Sequence, residues 1–165
     1  MEFVLSSSES FSTKFADFDE LIGQCRFIHI DSSHFYETTF KELQMAEQLI
    51  SDGGIVVLDD FTNLNYSQIL AATYKYLYTQ KTRLMVLLVT EEKAYLCKKE
   101  DFAAYGHFIL NRSITLLSTF GVEDACMART DATPEYRAFH LRRLLPGETE
   151  RQYGTSLYGQ FLREP

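Results

Sequence analysis

Residues 25–61 read CRFIHIDSSHFYETTFKELQMAEQLISDGGIVVLDDF, and this stretch decides the fold class. Its first apolar run, residues 26–30, is rich in β-branched and aromatic side chains, as expected of a buried strand. From residue 35 to residue 50 the apolar side chains recur every three or four positions, which predicts a helix. Asp52-Gly53-Gly54 is expected to end that helix, because glycine readily adopts the left-handed cap conformation. A second buried strand is predicted over residues 55–58.

The residues that follow continue this alternation of strands and helices. Residues 65–78 carry apolar side chains at helical spacing, residues 84–89 are a strongly apolar strand, and residues 94–97 are its expected hairpin partner. An order of strand, helix, strand, helix, strand predicts an α/β sheet with right-handed crossovers. The apolar runs are continuous, which is typical of parallel strands buried on both faces.

The sequence signals are weaker toward both ends of the chain. Residues 2–5 are a short strand candidate, and residues 11–22 have apolar side chains at helical spacing. Residues 109–120 fit either a strand or a helix. A Thr-Pro pair predicts the start of a helix over about 133–145. The tail, residues 153–165, carries an apolar stripe that suggests docking on the core or on a partner.

Composition bounds the class of protein. The chain has 165 residues and is 45% apolar and 14% aromatic, so it can form one domain with a real core and is not a disordered chain. Its formal net charge of -7 argues against nucleic acid and against anionic membrane surfaces as partners. No apolar run is long enough for a membrane helix, and the N-terminus lacks signal-peptide features. The three cysteines form no C-x-x-C pair, so a cytoplasmic location is expected.

Acidic side chains follow both strands of the deciding stretch. Asp31 comes directly after the first strand, and Asp59 and Asp60 come directly after the second. Ligands bind at the carboxyl edge of open α/β sheets, where these three carboxylates are expected to meet. Clustered carboxylates repel one another unless a cation neutralises them, and oxygen ligands suit Mg²⁺, Ca²⁺ or Mn²⁺. His34, on the same loop as Asp31, is a candidate general base.

A purely structural interpretation of the same residues is open at this point. Asp31 and Ser33 are placed to cap the helix over 35–50, and Asp60 or Thr62 to cap the helix after the second strand. In this interpretation His34 is a solvated loop residue. A metal-dependent hydrolase or phosphatase with the same acidic edge ranks lower, because such sites usually have more ligands, often histidine.

The deciding stretch resembles the class I S-adenosylmethionine-dependent methyltransferases. It is similar to the small-molecule O-methyltransferase-like branch, in which a strand ends in IDG-x-H-x-Y and a helix leads to GG-x-(I/V)-(I/V)-x-DD. The resemblance covers about residues 3–97 and is most specific over 27–61. It implies a Rossmann-like, mostly parallel sheet with flanking helices, in the strand order 3-2-1-4-5-7-6, that ends in an antiparallel hairpin.

The resemblance also implies roles for particular residues. Asp31, Asp59 and Asp60 match the positions that hold Mg²⁺ in metal-dependent relatives, where the ion would acidify an acceptor hydroxyl. His34 matches a histidine that serves as a base or substrate contact. Ser8 would lie near the adenine of S-adenosylmethionine, and Asp31 would also contribute to the cofactor site.

One large difference from the family follows from the glycine pattern. The family's first strand leads into a glycine-rich E-x-G-x-x-x-G turn, and an acid after the second strand holds the ribose; this sequence has neither. The interpretation is a methyltransferase-like domain over residues 1–123, incomplete at its N-terminus, and a C-terminal helical extension over 124–165. Without the family's first strand, residues 26–30 would form an exposed apolar edge. The strand at residues 2–5, the C-terminal tail or another subunit could cover this edge, so a homo-oligomer, another partner or an alternative N-terminal pairing is expected.

Two functions are compatible with the sequence. The first is an enzyme that transfers a methyl group from S-adenosylmethionine to a hydroxyl of a small molecule with the help of a divalent metal ion. The second is a truncated, non-catalytic methyltransferase-like protein that serves in binding or assembly, and the missing cofactor turn is the feature that favours it.

Overall fold

The computed structural model describes residues 19–129, 138–144 and 146. Over these residues the chain forms six strands and three α-helices. In chain order they are β1 (Cys25–Ile30), α1 (Tyr36–Leu49), β2 (Ile50–Leu58), α2 (Ser67–Thr79), β3 (Leu84–Val89), β4 (Ala94–Lys98), α3 (Phe102–Thr119), β5 (Ala125–Arg129) and β6 (Phe139–Arg143). No helix among them is long and apolar enough to cross a membrane.

The strands form one sheet in the order β1-β2-β4-β3-β6-β5. β1 pairs with β2 in parallel, and β3 and β4 form the predicted antiparallel hairpin. The first four strands in this order reproduce the 4-5-7-6 part of the order that the resemblance implies, which confirms the α/β, Rossmann-like fold class. The whole sheet is mixed rather than mostly parallel, because β4 and β5 each run antiparallel to their neighbours.

Helices cover both faces of the sheet. Side chains of consecutive strand residues point to opposite faces, and Val86 and Leu87 accordingly belong to two different hydrophobic clusters. The first cluster packs α1 and α2 on the sheet, with Leu43 and Leu96 fully buried at its centre. The second packs α3 on the other face. The apolar runs of β2, β3 and β4 therefore correspond to strands that are largely buried, whereas the prediction of a buried strand over 26–30 is wrong for β1, in which Ile30 alone is buried.

The glycine pair does not end α1 as the sequence predicts. The helix already ends at Leu49, and β2 begins at the next residue. Cys25 pairs with Ile50 and Phe27 pairs with Ile55, so the intervening residues form a bulge in β2. Gly53 has a φ of +64° within this bulge, and its N–H donates to the Asp101 carboxylate at 2.9 Å. A contact with the start of α3, distant in sequence, thus holds the bulge.

We expect the two glycines to differ in their tolerance of side chains. A Cβ on Gly54 would lie 2.5 Å from Cδ1 of Ile50 and 3.0 Å from the carbonyl oxygen of Cys25, whereas Gly53 faces open space. Ile50 is buried and cannot move aside freely. Gly54→Ala should lower the free energy of unfolding by about 1–3 kcal/mol. Gly53→Asn is the matched control and should cost less than about 1 kcal/mol, since Asn tolerates positive φ. Urea denaturation measures both, and equal losses would contradict the bulge.

The C-terminal part of the chain differs most from the prediction. Residues 109–120, ambiguous in the sequence, belong to the long helix α3. The helix predicted over about 133–145 is wrong for Phe139–Arg143, which form β6 beside β3. Within the predicted helical extension, 124–165, the described segments Ala125–Arg129 and Phe139–Arg143 are both strands of the main sheet. Phe139 has no exposed surface in the core, and this tertiary burial outweighs the helix-start signal upstream.

Other sequence predictions concern residues outside the described part of the chain. They are the strand candidate at 2–5, most of the helical segment at 11–22, and the apolar tail at 153–165. Within the described residues, β1 pairs with β2 alone and so lies at the edge of the sheet. Phe27 on this edge strand is 65% exposed. Over the described residues this edge strand therefore carries exposed apolar surface, and the prediction that something covers it stays a prediction.

Candidate functional site

The acidic loops after β1 and β2 meet at one edge of the sheet. The two strands run parallel with Ile30 opposite Leu58, so that the chain leaves both strands at the same level. Asp31 follows β1 and Asp59 follows β2 directly, and the N–H of Asp59 donates to the Ile30 carbonyl at 3.0 Å. The acids therefore lie together at the carboxyl edge of the sheet, as their positions directly after the two strands predict.

Asp31, His34 and Asp60 form a compact group at this edge. One ligand atom from each residue lies within 4.8 Å of the others. Nε2 of His34 is 2.9 Å from a carboxylate oxygen of Asp60 and 3.8 Å from one of Asp31. An imidazole and two carboxylates at these distances are a set of donors that a divalent cation can share.

The backbone is strained at two members of this group. Among the residues that the structure describes, His34 and Asp60 are the only non-glycine residues with positive φ, at +61° and +52°. Such conformations cost roughly 1–3 kcal/mol each and persist where the surroundings impose them. Here the surroundings include the ring of Tyr66, which stacks on His34 at 4.1 Å, and the side-chain amide of Asn63, which donates to Asp60 at 2.9 Å. Strain is therefore concentrated on two residues that face each other.

Nε2 of His34 is buried and has no hydrogen-bond partner. Nε2 thus lies close to the Asp60 carboxylate, but the two groups are not aligned as a hydrogen bond requires. A buried polar nitrogen without a partner costs free energy, so its persistence calls for an explanation. Two ligands of one cation at about 2.1 Å and a right angle lie about 3 Å apart, which is close to the observed separation.

Asp59 is directed away from this group. Its carboxylate accepts a hydrogen bond from the Lys93 ammonium and lies 3.5 Å from Nε2 of His29. The hydrogen bond from Lys93 is the largest cause that lowers the pKa of Asp59, and the same bond raises the pKa of Lys93. Asp59 therefore already has a cationic partner, Lys93, whereas Asp60 lies beside His34. The sequence predicts that Asp59 and Asp60 hold the same metal ion, whereas in the structure the two side chains contact different residues.

The pair of Asp59 and Lys93 predicts a particular pH dependence. Because the pKa of Asp59 is lower in the folded state than its ordinary value of 3.8, its contribution to stability is present above that value and is lost as pH falls through the folded pKa. Lys93→Met should lower the free energy of unfolding at pH 7, and the difference from wild type should shrink as pH falls below 3.8. Unfolding curves at several pH values measure it. The exposed Lys75→Met is the control, and a difference that stays constant down to low pH would contradict the pair.

The capping interpretation of these residues is wrong. The N-cap residue of α1 is Phe35, and no side chain caps this helix. α2 begins without a side-chain cap as well, and the short 3-10 turn before it is capped by Asn63. Thr62 donates instead to the carbonyl of Glu91. Asp31 and Asp60 are thus not explained as helix caps.

Sequence reasoning missed four residues of this site. His29 and Lys93 contact Asp59, while Tyr66 and Asn63 support the strained pair. His29 alternates with Ile28 and Ile30 on a strand, and that alternation was a usable signal for a side chain aimed at the carboxyl edge. Lys93 lies in a charged turn between β3 and β4, where no local pattern distinguishes it from a solvated lysine. Of the residues predicted for the site, Ser8 lies outside the described residues.

Comparison with known proteins gives one match. Residues 2–61 match a protein family described as a methyltransferase domain. The matched segment contains β1, α1 and β2 and ends just after Asp60. No curated protein and no solved structure matches this chain.

Proposed function

We propose that this chain, whose residues 2–61 match a methyltransferase domain, is a class I S-adenosylmethionine-dependent methyltransferase that methylates a hydroxyl group of a small molecule with the help of a divalent cation. The observation that carries the proposal is the strained pair of His34 and Asp60, which face each other at 2.9 Å without a hydrogen bond. Strained conformations cluster at sites where a ligand or a reaction needs them.

Asp31, His34 and Asp60 are the residues that would hold the cation. Their donor atoms fit such an ion, because they lie close together and Nε2 of His34 is unsatisfied. Carboxylates suit Mg²⁺ and Mn²⁺, and the imidazole shifts the preference toward Mn²⁺. When bound, the ion would lower the pKa of an acceptor hydroxyl and orient it.

The other side chains of the site set its charge and its proton chemistry. Asp59 is neutralised by Lys93, so the negative charge left for a cation is that of Asp31 and Asp60. The base role that the sequence suggests for His34 is the alternative to its role as a ligand. The two roles are separable: His34→Ala lowers the affinity for Mn²⁺ if His34 is a ligand and leaves it unchanged if His34 is only a base.

The methyl donor implied by the family is S-adenosylmethionine. Of the residues that the resemblance assigns to that cofactor, the described part of the chain contains Asp31, whose side chain is half exposed. The glycine-rich turn and the ribose-binding acid are absent from the sequence. The described residues therefore lack these two parts of the family's cofactor site.

We further propose that the chain forms a homo-oligomer through the edge strand β1. Among the described residues no strand pairs with the outer side of β1, so its backbone groups there can pair with an identical strand of a second copy, and Phe27 offers apolar surface beside them. Sedimentation velocity should show a dimer or larger species for wild type and a monomer for Phe27→Lys. Phe120→Lys, at an aromatic residue after α3 that is also largely exposed, is the matched control and should not change the oligomeric state. A monomeric wild type would refute this proposal.

Calorimetric titration tests the methyltransferase function. The chain would be titrated with S-adenosylhomocysteine in the presence of Mn²⁺ and then of a chelator, with circular dichroism as the check of folding. Micromolar binding that strengthens with Mn²⁺ supports the proposal. If the folded protein binds neither S-adenosylhomocysteine nor Mn²⁺, the result supports the second candidate function, a non-catalytic binding or assembly protein. The missing glycine-rich turn is the sequence feature that favours this candidate.

A further inference from the structure

The turn between β3 and β4, residues 90–93, lies against the loop that carries Asp60. Leu58, the last residue of β2, pairs with Ala94, the first residue of β4, so the chain that follows β2 runs beside the chain that precedes β4. The turn is closed, because the N–H of its first residue donates to the carbonyl of its last residue at 2.9 Å. Strand pairing therefore brings a short, closed turn into contact with the acidic edge.

Hydrogen bonds connect this turn to the residues on both sides of Asp60. Before Asp60, the carboxylate of Asp59 accepts from the Lys93 ammonium. After Asp60, the N–H of Phe61 donates to a backbone carbonyl of the turn at 2.7 Å, and the hydroxyl of Thr62 donates to another. The turn thus holds the chain before and after the residue that faces His34.

The chain at Asp60 has little freedom to relax. Asp60 has a φ of +52°, and a non-glycine residue keeps such a conformation where its surroundings impose it. Phe61 is bonded to the turn and is also fixed by its side chain, which is 3% exposed and packs against the ring of Tyr74 at a centroid distance of 5.9 Å. Because both neighbours of Asp60 are held, the left-handed backbone between them is held as well.

This backbone conformation decides what the two carboxylate oxygens of Asp60 meet. Oδ1 accepts from the side-chain amide of Asn63 at 2.9 Å, and Oδ2 lies 2.9 Å from Nε2 of His34. Rotation of φ to an ordinary negative value would swing the side chain relative to the preceding strand and take Oδ2 away from His34. Ligand groups bind well only where supporting residues hold them in place.

We propose that Lys93 and the 90–93 turn position the Asp60 carboxylate against His34 for the cation. The role toward the cation rests on the proposed function, whereas the hold on the backbone of Asp60 does not. Lys93 is a positioning residue that acts through Asp59, because an ammonium group has no lone pair for a metal ion. The turn lies beyond the matched residues 2–61, so a later part of the chain supports the site.

Charge and positioning predict opposite effects of removing Lys93. Lys93→Met removes a positive charge and frees the Asp59 carboxylate, so charge alone predicts tighter binding of Mn²⁺. Positioning predicts binding about tenfold weaker, at the lower end of what loss of an outer-shell partner costs. Lys93→Arg keeps a cationic donor for Asp59 and should restore most of the affinity.

Calorimetric titration of the full chain with MnCl₂ measures these affinities, with circular dichroism as the check of folding. Arg83→Met is the matched control. It removes one positive charge just before β3, at the other end of that strand from the turn, and breaks an ion pair with Glu100 at 3.0 Å. Its affinity for Mn²⁺ should equal that of wild type.

Thr62→Val tests the same connection without a change of charge, and it decides the question if Lys93→Met does not fold. The substitution removes the hydroxyl that donates to the turn. It should weaken Mn²⁺ binding about two- to tenfold, the equivalent of one hydrogen bond. Thr62→Ser keeps the hydroxyl and should bind Mn²⁺ as wild type does.

Hydrogen exchange in the metal-free protein separates this inference from the proposed function. The Phe61 N–H, which donates to the turn, should be protected in wild type and Lys93→Arg and lose protection in Lys93→Met. If wild type binds Mn²⁺, equal or tighter binding by Lys93→Met overturns the inference and leaves the proposed function standing. If wild type does not bind Mn²⁺, the proposed function is refuted. Loss of Phe61 protection then still supports the hold on Asp60, and unchanged protection overturns it.

Discussion

Asp60→Asn will abolish the binding of Mn²⁺, and the same substitution at the preceding residue, Asp59→Asn, will not. The two side chains are adjacent in the sequence, but Asp60 approaches His34 and Asp31 while Asp59 is bonded to Lys93. Changes to residues that only support a ligand already cost about 10–100-fold in metal affinity, so loss of a ligand should cost at least about 100-fold. Calorimetry or Mn²⁺ electron paramagnetic resonance measures the affinity.

The pair of variants is well matched. Each removes one negative charge and preserves the shape of the side chain, so the net charge of the protein changes by the same amount in both. Asn also tolerates the positive φ of residue 60, so Asp60→Asn should fold. Equal loss of affinity in both variants would mean that the cation is held by all three acids, as the sequence alone suggests. Unchanged affinity in Asp60→Asn would refute the cation site.

Phe139→Ala will lower the free energy of unfolding by about 3–5 kcal/mol, the largest single effect on stability that we expect. Phe139 lies on β6, has no exposed surface and stacks on Phe102 at a centroid distance of 6.0 Å. The substitution removes an aromatic ring from the core, and the surrounding side chains cannot fully fill the cavity that it leaves. Urea denaturation measures the loss, and the unfolding free energy of the two proteins should fall with urea concentration at the same slope.

Phe120→Ala is the matched control, because Phe120 is 76% exposed after the end of α3. Its change in unfolding free energy should stay within about 0.5 kcal/mol. A change below about 1 kcal/mol for Phe139→Ala would show that β5 and β6 do not belong to the cooperative unit formed by the rest of the sheet.

Strong local periodicity made most of the fold predictable. The strand over 84–89 agrees exactly with β3, and the helix predicted over 35–50 corresponds to α1, Tyr36–Leu49. These segments bury one face or both, so the hydrophobic pattern in the sequence is itself the cause of the structure. The helix prediction for residues 139–143 was wrong for the complementary reason. It is short, and its strand state depends on pairing with β3, far away in the chain.

The candidate site could be predicted only in part. That Asp31, Asp59 and Asp60 meet at one edge follows from their positions after parallel strands. The sequence does not show which of the three acids faces His34. The side chains of consecutive residues point in different directions, and the choice between them depends on Lys93 and Tyr66. The position of β6 could not be predicted either, since the sequence predicted a helix there.

The sequence by itself determined the alternation of strands and helices through β4 and the placement of three acids after two strands, because apolar spacing and chain order are local properties. Only the tertiary structure decided the bulge at Gly53, the strand state of β6, and the separation of Asp59 from Asp60. Each of these depends on a contact between residues that lie more than thirty positions apart, and such contacts form only when the whole sheet is assembled.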